Sequence, residues 1–233
     1  MKKPPPSLTI LVSCYNEELY IKNVILDLLK EFKDYKYKFE ILVIDDSSTD
    51  NSVKLLKKLE KKHTNILKII SLNRNIGLGN VYKKGVYSCD TTHLIWQPGD
   101  NEISAKSIRL AANEISNYDI VVMYPKNPKI RPIKRQIISY LYVLIINILT
   151  FNNLKYYNGS NLHKVSLLKQ LKLKTSGFSY QTEILVQLLR KNHSYAQVPY
   201  TLNYCSTRNR AVSFKNIFKV VFSLQNIIKY RWL

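Results

Sequence analysis

Short apolar runs of strand length recur through the first half of this chain, and each gives way to a stretch with helical spacing. Leu8–Cys14 (LTILVSC), Phe39–Ile44 (FEILVI), Ile66–Leu72, His93–Trp96 and Asp119–Tyr124 are the five expected strands. Between them lie Glu18–Phe32, with Ile21, Ile25, Leu28 and Leu29 on one face, then Asp50–Lys62, Leu78–Ser88 and Ser104–Ser116. Ser48, Thr49 or Asp50 is placed to cap the second of these helices. Unbroken apolar strands separated by helices specify an α/β fold: an open, mostly parallel, Rossmann-like sheet with helices on both faces. Ligands of such sheets bind beyond the carboxyl ends of the strands. Here those ends carry Tyr15-Asn16-Glu17, Asp45-Asp46, Asn73-Arg74-Asn75 and Asp100-Asn101-Glu102. Polar and acidic groups therefore collect on one edge, and the site is expected there.

The second half has a different character. The basic cluster Lys126–Arg135 leads into Gln136–Phe151, an apolar stretch broken by Ser139 and Asn147. It is shorter than the roughly 20 residues of a spanning helix, which predicts an interfacial or core helix instead. Tyr140, Tyr142 and the flanking Arg135 suit a lipid–water boundary. The tail Phe214–Leu233 is again basic and amphipathic. At the other end, the apolar run after Met-Lys-Lys and three prolines is too short for a signal peptide and reads as a buried strand. The expectation is one domain of 233 residues with no spanning helix.

Lys and Arg number 36 against 16 Asp and Glu, a formal charge of +20. Such an excess attracts anionic partners: an acidic membrane surface, phosphorylated ligands or nucleic acid. Nucleic acid is the poorest fit, because acidic strand ends repel phosphates unless a cation intervenes and no binding signature is present. Cys14, Cys89 and Cys205 are odd in number and far apart, which argues for a reducing compartment. His63, His93, His163 and His193 are scattered and outline no zinc site.

Four segments stand in a telling order: YNEE (Tyr15–Glu18), IDDSSTDNS (Ile44–Ser52), NRNIGLGNVYKKG (Asn73–Gly85) and QPGDNEIS (Gln97–Ser104). Together they resemble the family-2 glycosyltransferases, most of all the dolichol-phosphate mannosyltransferase and polyprenyl-phosphate glycosyltransferase branch. The likeness runs from about Leu8 to Lys215. It implies a GT-A fold in which 7–125 binds a nucleotide sugar and 126–233 faces the acceptor and the membrane. Tyr15, Glu17, Asp45 and Asp46 would line the nucleoside pocket, and Arg74, Asn75 and Gly77 would form the donor-binding loop. Gly77, Gly79 and Gly85 would let that loop and its helix approach the ligand. Ser47 stands where the family usually has Gly.

Asp100 matches the second Asp of the family's DxD motif, and Glu102 falls where the branch often has a metal-binding Gln. Pro98 occupies the place of the first Asp. The resemblance therefore implies Mg²⁺ or Mn²⁺ held by Asp100 and Glu102 against the donor diphosphate, which suits the preference of hard cations for oxygen. Tyr157–Asn161 resembles the family's segment after the interfacial helix, with Lys155 replacing its usual Asp. Arg208-Asn-Arg-Ala-Val-Ser-Phe-Lys215 resembles the R-x-x-G-x-S closing loop, with Ala211 for Gly. Arg208 would clamp the leaving nucleotide, while Arg131, Arg135, Arg210 and Lys215 would meet phosphates.

Glu183, in Phe178-Ser-Tyr-Gln-Thr-Glu183, resembles an acidic residue near the acceptor. A hydroxyl acceptor would need it as general base, and a phosphate acceptor would not. The implied activity is inverting transfer from a UDP- or GDP-linked sugar to a polyprenyl phosphate. The location is expected to be cytoplasmic, peripheral to the inner membrane face. A hydroxyl of a growing polysaccharide is the alternative acceptor, and a catalytically inactive basic homologue is the alternative class.

Overall fold

The computed structural model describes residues 5–175, 177 and 179–203. Its first half follows the expected alternation closely. Strands β1 (Ser7–Cys14), β2 (Lys38–Asp45), β3 (Leu67–Ser71), β4 (His93–Pro98) and β5 (Ile120–Pro125) are separated by helices α1 (Ile21–Glu31), α2 (Ser52–Glu60), α3 (Leu78–Ser88) and α4 (Ala105–Asn113). After a 3₁₀ turn at Pro128–Ile130 come helix α5 (Ile133–Thr150), strand β6 (Leu162–Lys164), the short helix α6 (Val165–Leu168), helix α7 (Tyr180–Arg190) and strand β7 (Tyr195–Tyr200).

The seven strands form one sheet in the order β3-β2-β1-β4-β6-β5-β7. β1 pairs in parallel with β2 and β4, β2 with β3, and β5 with β7. Only β6 runs against its neighbours β4 and β5. β6 and β7 are absent from the sequence expectation. Three residues are too few to show a period, and β7 carries a proline and alternates weakly.

Period-two alternation divides the core. Leu8, Ile10, Val12, Ile41, Val43 and Ile95 face one side, where Ile25 and Leu28 of α1, Leu56 of α2 and Ile108 of α4 close over them. Leu11, Leu42, Ile44, Leu94 and Val122 face the other, against Tyr82 of α3, Ile146 of α5 and Tyr180 and Ile184 of α7. Gly85 serves this packing: a Cβ there would lie 2.4 Å from Leu11 Cδ2, so the glycine lets α3 sit close on β1.

α5 departs from the pattern of the other helices. It begins at Ile133, three residues before the expected stretch, and is long and apolar enough to cross a membrane by length and composition. Only Ile146 is buried and half of the helix is exposed: Ile133, Ile137, Tyr140, Leu141, Leu144, Ile145 and Ile148 face outward, and Phe151 at its end is 79% exposed. The docked face is held by Ile146, by Tyr142 Oη donating to Thr182 Oγ1 (2.7 Å), and by Asn147 Nδ2 donating to the Leu154 carbonyl (2.9 Å). Tyr142 therefore turns into the protein, and only Tyr140 of the expected pair looks outward.

Candidate active site

The carboxyl ends of β1, β2 and β4 meet in three laced loops. Asn16 sits at φ 55°, its backbone N–H donating to Ser48 Oγ (2.8 Å) and its Oδ1 accepting from the Thr49 N–H (2.7 Å). The Glu17 N–H donates to Ser52 Oγ (2.8 Å) and the Glu18 N–H to Asp50 Oδ2 (3.1 Å). The residues expected as caps of α2 thus tie two loops together. Of the three, Asp50 alone also serves the helix start, accepting the Ser52 N–H (2.9 Å).

Tyr15 is exposed at this edge, whereas Glu17, Asp45 and Asp46 are buried. Asp45 accepts from both the N–H and the hydroxyl of Ser48. The intervening Ser47 takes φ 66°, the left-handed region where the family's Gly is at ease. Asp46 accepts from the N–H groups of Ile76 (2.7 Å) and Gly77 (3.0 Å). Both carboxylates thus fasten loops at the strand ends where the nucleoside was expected. Asp46 shapes the donor-loop segment, in which Arg74 and Asn75 are exposed and Gly77 needs φ 82°.

β4 leads into Gly99-Asp100-Asn101-Glu102, a turn with Asn101 at φ 60°. Gln97 Nε2 braces it by donating to the carbonyls of Pro98 (3.1 Å) and Ile103 (3.0 Å). Asp100 Oδ1 accepts the Glu102 N–H (3.0 Å). Burial, and then the nearby Glu102 charge, raise the Asp100 pKa from its ordinary value. From the far end of the chain, the Asn203 N–H donates to the Glu102 carbonyl (2.9 Å) and Asn203 Nδ2 to the Asn101 carbonyl (2.9 Å), beside an Ile103–Leu202 bridge.

Arg131 and Arg135, expected to meet phosphates, converge on this turn. Arg131 donates to Glu102 Oε1 through Nε (3.0 Å) and Nη2 (2.7 Å), and to Tyr156 Oη through Nη1 (3.2 Å). Arg135 Nη2 lies 3.1 Å from the same Glu102 oxygen. Burial alone would weaken the Arg131 charge, but Tyr156 and Glu102 more than offset it. Tyr156, Gln97 and Asn203 were missed in sequence because they act through loop geometry, which no periodic pattern announces.

Glu183 stands in the first turn of α7 but is 1% exposed. Its oxygens accept the N–H groups of Lys174 (2.8 Å) and Thr175 (2.9 Å), so the carboxylate fastens the preceding loop. The loop-supporting role stands beside the expectation that Glu183 serves as a base if the acceptor is a hydroxyl. Arg208, Arg210 and Lys215 lie outside the described residues.

Among the described residues no group of three or more His, Cys, Asp or Glu gathers to cage an ion. Asp100 and Glu102 nevertheless fit Mg²⁺ or Mn²⁺. They are all-oxygen donors on one turn, and such ions take remaining ligands from water and phosphate.

The glycosyl transferase family 2 model matches residues 9–170. Curated relatives include a dolichyl-phosphate beta-glucosyltransferase of Dictyostelium discoideum, 32% identical over 34% of this chain and 26% of its own length. An undecaprenyl-phosphate 4-deoxy-4-formamido-L-arabinose transferase of Proteus mirabilis is 29% identical over 49% of this chain and 35% of its own length. A dodecaprenyl-phosphate galacturonate synthase of Rhizobium johnstonii is 25% identical over 71% and 50%. The chain thus spans half or less of the length of these relatives, which fall in the polyprenyl-phosphate branch. Glucosyl-3-phosphoglycerate synthase from Mycobacterium tuberculosis, solved with phosphoglyceric acid, superposes with a TM-score of 0.77 at 12% identity, over 96% of this chain and 80% of that one. The fold is GT-A, and the chain belongs to glycosyl transferase family 2.

Proposed function

We propose that this chain moves a sugar from a nucleotide diphosphate donor to a polyprenyl phosphate at an anionic membrane surface. The observation that carries the reading is one juxtaposition: the Asp100-Glu102 turn, the Arg131-Arg135 pair and the exposed apolar face of α5 meet in a single stretch. A donor diphosphate, an acceptor phosphate and an isoprenoid tail ask for those three surfaces. The relatives' names support the same acceptor class.

A Mg²⁺ or Mn²⁺ held by Asp100 and Glu102 supplies Lewis-acid neutralisation of the departing nucleotide. Asp46 orders the Arg74–Gly77 loop against the donor, and Tyr15 offers an aromatic surface at the nucleoside end. The acceptor phosphate oxygen forms its bond to the anomeric carbon from the face opposite the leaving diphosphate, whose bond to that carbon breaks, so the configuration inverts. No proton has to be removed from a phosphate, which agrees with Glu183 being occupied by the Lys174–Thr175 loop. Arg208 follows Asn203 by five residues, a reach of at most about 18 Å. Since Asn203 is tied to the Asp100–Glu102 turn, Arg208 can serve as the clamp on the leaving nucleotide.

α5 is laid along the domain by Tyr142, Ile146 and Asn147, a docking that favours lying in the membrane interface over crossing it. That docking supports the reading of a protein held peripherally at the inner face. Asp100→Ala should lower sugar transfer by roughly 10²–10³, the usual loss of one preorganised charge stabiliser, with product recovered in the organic phase. Full activity in that variant would break the assignment. Glu183→Gln should keep most of its turnover, and a large loss with donor affinity unchanged would favour a hydroxyl acceptor instead.

A further inference from the structure

Glu102 belongs to two charge systems at once. Its Oε1 is taken by Arg131 at 2.7 and 3.0 Å and by Arg135 at 3.1 Å, while Oε2 accepts nothing from a described residue. On its other side the Asp100 carboxylate accepts its backbone N–H at 3.0 Å. The two arginines are not equivalent. Arg131 has a side chain 8% exposed and is pinned between Glu102 and Tyr156. Arg135, in the first turn of α5, is 26% exposed and meets the turn through one nitrogen. Arg131 is thus the fixed support of Glu102, and Arg135 is the cation able to change partner.

Asp100, Glu102, Arg131 and Arg135 sum to zero formal charge, so an anion approaching Arg135 gains little from the cluster as it stands. Adding a divalent cation leaves the whole group with a net positive charge. We infer that Glu102 couples the two ligands: a divalent cation shared by Asp100 and Glu102 draws the carboxylate's charge away from Arg135, and Arg135 then binds a phosphate group. The inference rests on the cation reading given above. It requires the charge of this chain's Glu102, because a neutral Gln at that position has none to redistribute. By linkage, phosphate must tighten cation binding by the same factor.

The test uses the full chain, with bound Mn²⁺ read by electron paramagnetic resonance of the free ion. Two phosphate probes, inorganic phosphate and submicellar dodecyl phosphate, are titrated by calorimetry with and without Mn²⁺. Mn²⁺ should tighten probe binding roughly 5- to 150-fold, the usual range of coupling between sites. Glu102→Gln should bind the probes better than the native chain without Mn²⁺, and the enhancement by Mn²⁺ should shrink toward unity. Arg135→Gln should lose probe binding while keeping Mn²⁺. Enhancement of both probes supports the coupling for any phosphate, and enhancement of dodecyl phosphate alone supports it for a lipid headgroup. Mn²⁺ that binds without changing either probe overturns the coupling and leaves the cation reading intact, as does an undiminished enhancement in Glu102→Gln. A native chain that takes up no Mn²⁺ overturns both.

Discussion

Helices α1 and α5 are both rich in isoleucine and leucine, yet they treat those residues in opposite ways. α1 buries Ile21, Val24, Ile25 and Leu28 against the sheet, whereas α5, seven residues longer, fully buries only Ile146. In α1, apolar side chains build the core that aims the strand ends. In α5, they are displayed between Arg135 and Phe151. Apolar content alone therefore says nothing about destination; what decides is whether the polar residues of a helix point out to water or in to the domain, as Tyr142 and Asn147 do.

The sharpest test of that contrast pairs two neighbours. Ile146→Ser leaves a cavity and a buried hydroxyl, and should cost about 4 kcal/mol, lowering Tm by roughly 8–16 °C. Ile145→Ser lies on the displayed face and should change stability by less than about 0.5 kcal/mol. It should instead weaken binding to anionic vesicles roughly tenfold in flotation, on top of a general decline with salt. Equal stability losses in the two variants would erase the distinction between the helices.

Next in size is an effect at the seam between the halves, where β4 meets β6. Burial, followed by Lys164, pushes His93 down to about 4, and burial pushes His163 down to about 3. Nε2 of each has no partner among the described residues, so neither ring gains by charging. A base with a depressed native pKa is fully stabilising above its unfolded value of about 6.5, and that contribution is lost as pH falls below it. Urea unfolding should therefore show about 2 kcal/mol lost per histidine between pH 7.5 and pH 5. A flat profile over that interval would contradict neutral burial at the seam.

Smaller effects lie in the loops. Asp46→Ala strands the N–H groups of Ile76 and Gly77, and should cost about 2 kcal/mol while weakening donor binding, measured by thermal shift with and without nucleotide sugar. If Asp46 touches only the ligand, affinity falls and Tm stays. Ser47→Gly should raise stability by up to about 1 kcal/mol, because it relieves a side chain at φ 66°. Unchanged Tm there would mean that Ser47 bears no strain.

The parallel part of the sheet and its acidic edge could be read directly from the chain, because β1, β2 and β4 are unbroken apolar runs ending in motif residues. Sequence order also placed Asp100 and Glu102 in one turn. What escaped was everything that depends on distant pairing. Arg131 lies 29 residues from Glu102 with no period linking them, and nothing in the sequence distinguishes a phosphate-seeking arginine from one already paired. The Glu183 contacts were hidden for a related reason: nothing in a helix-start carboxylate announces that the loop before it folds back on it.

The hook from Asn203 to Asn101 and Glu102 has a consequence for the order in which the molecule comes into being. β1 to β4 can associate as soon as their connecting helices are made, since each crossover is local. The turn bearing Asp100 is fastened by residues that follow β7, about a hundred positions later in synthesis. β7 has no place until β5 is in the sheet, and β5 joins it through β6. Contacts of such long sequence separation form late, because closing the intervening loop must precede any return. The nascent chain therefore builds β1 to β4 first and fastens the Asp100–Glu102 turn last.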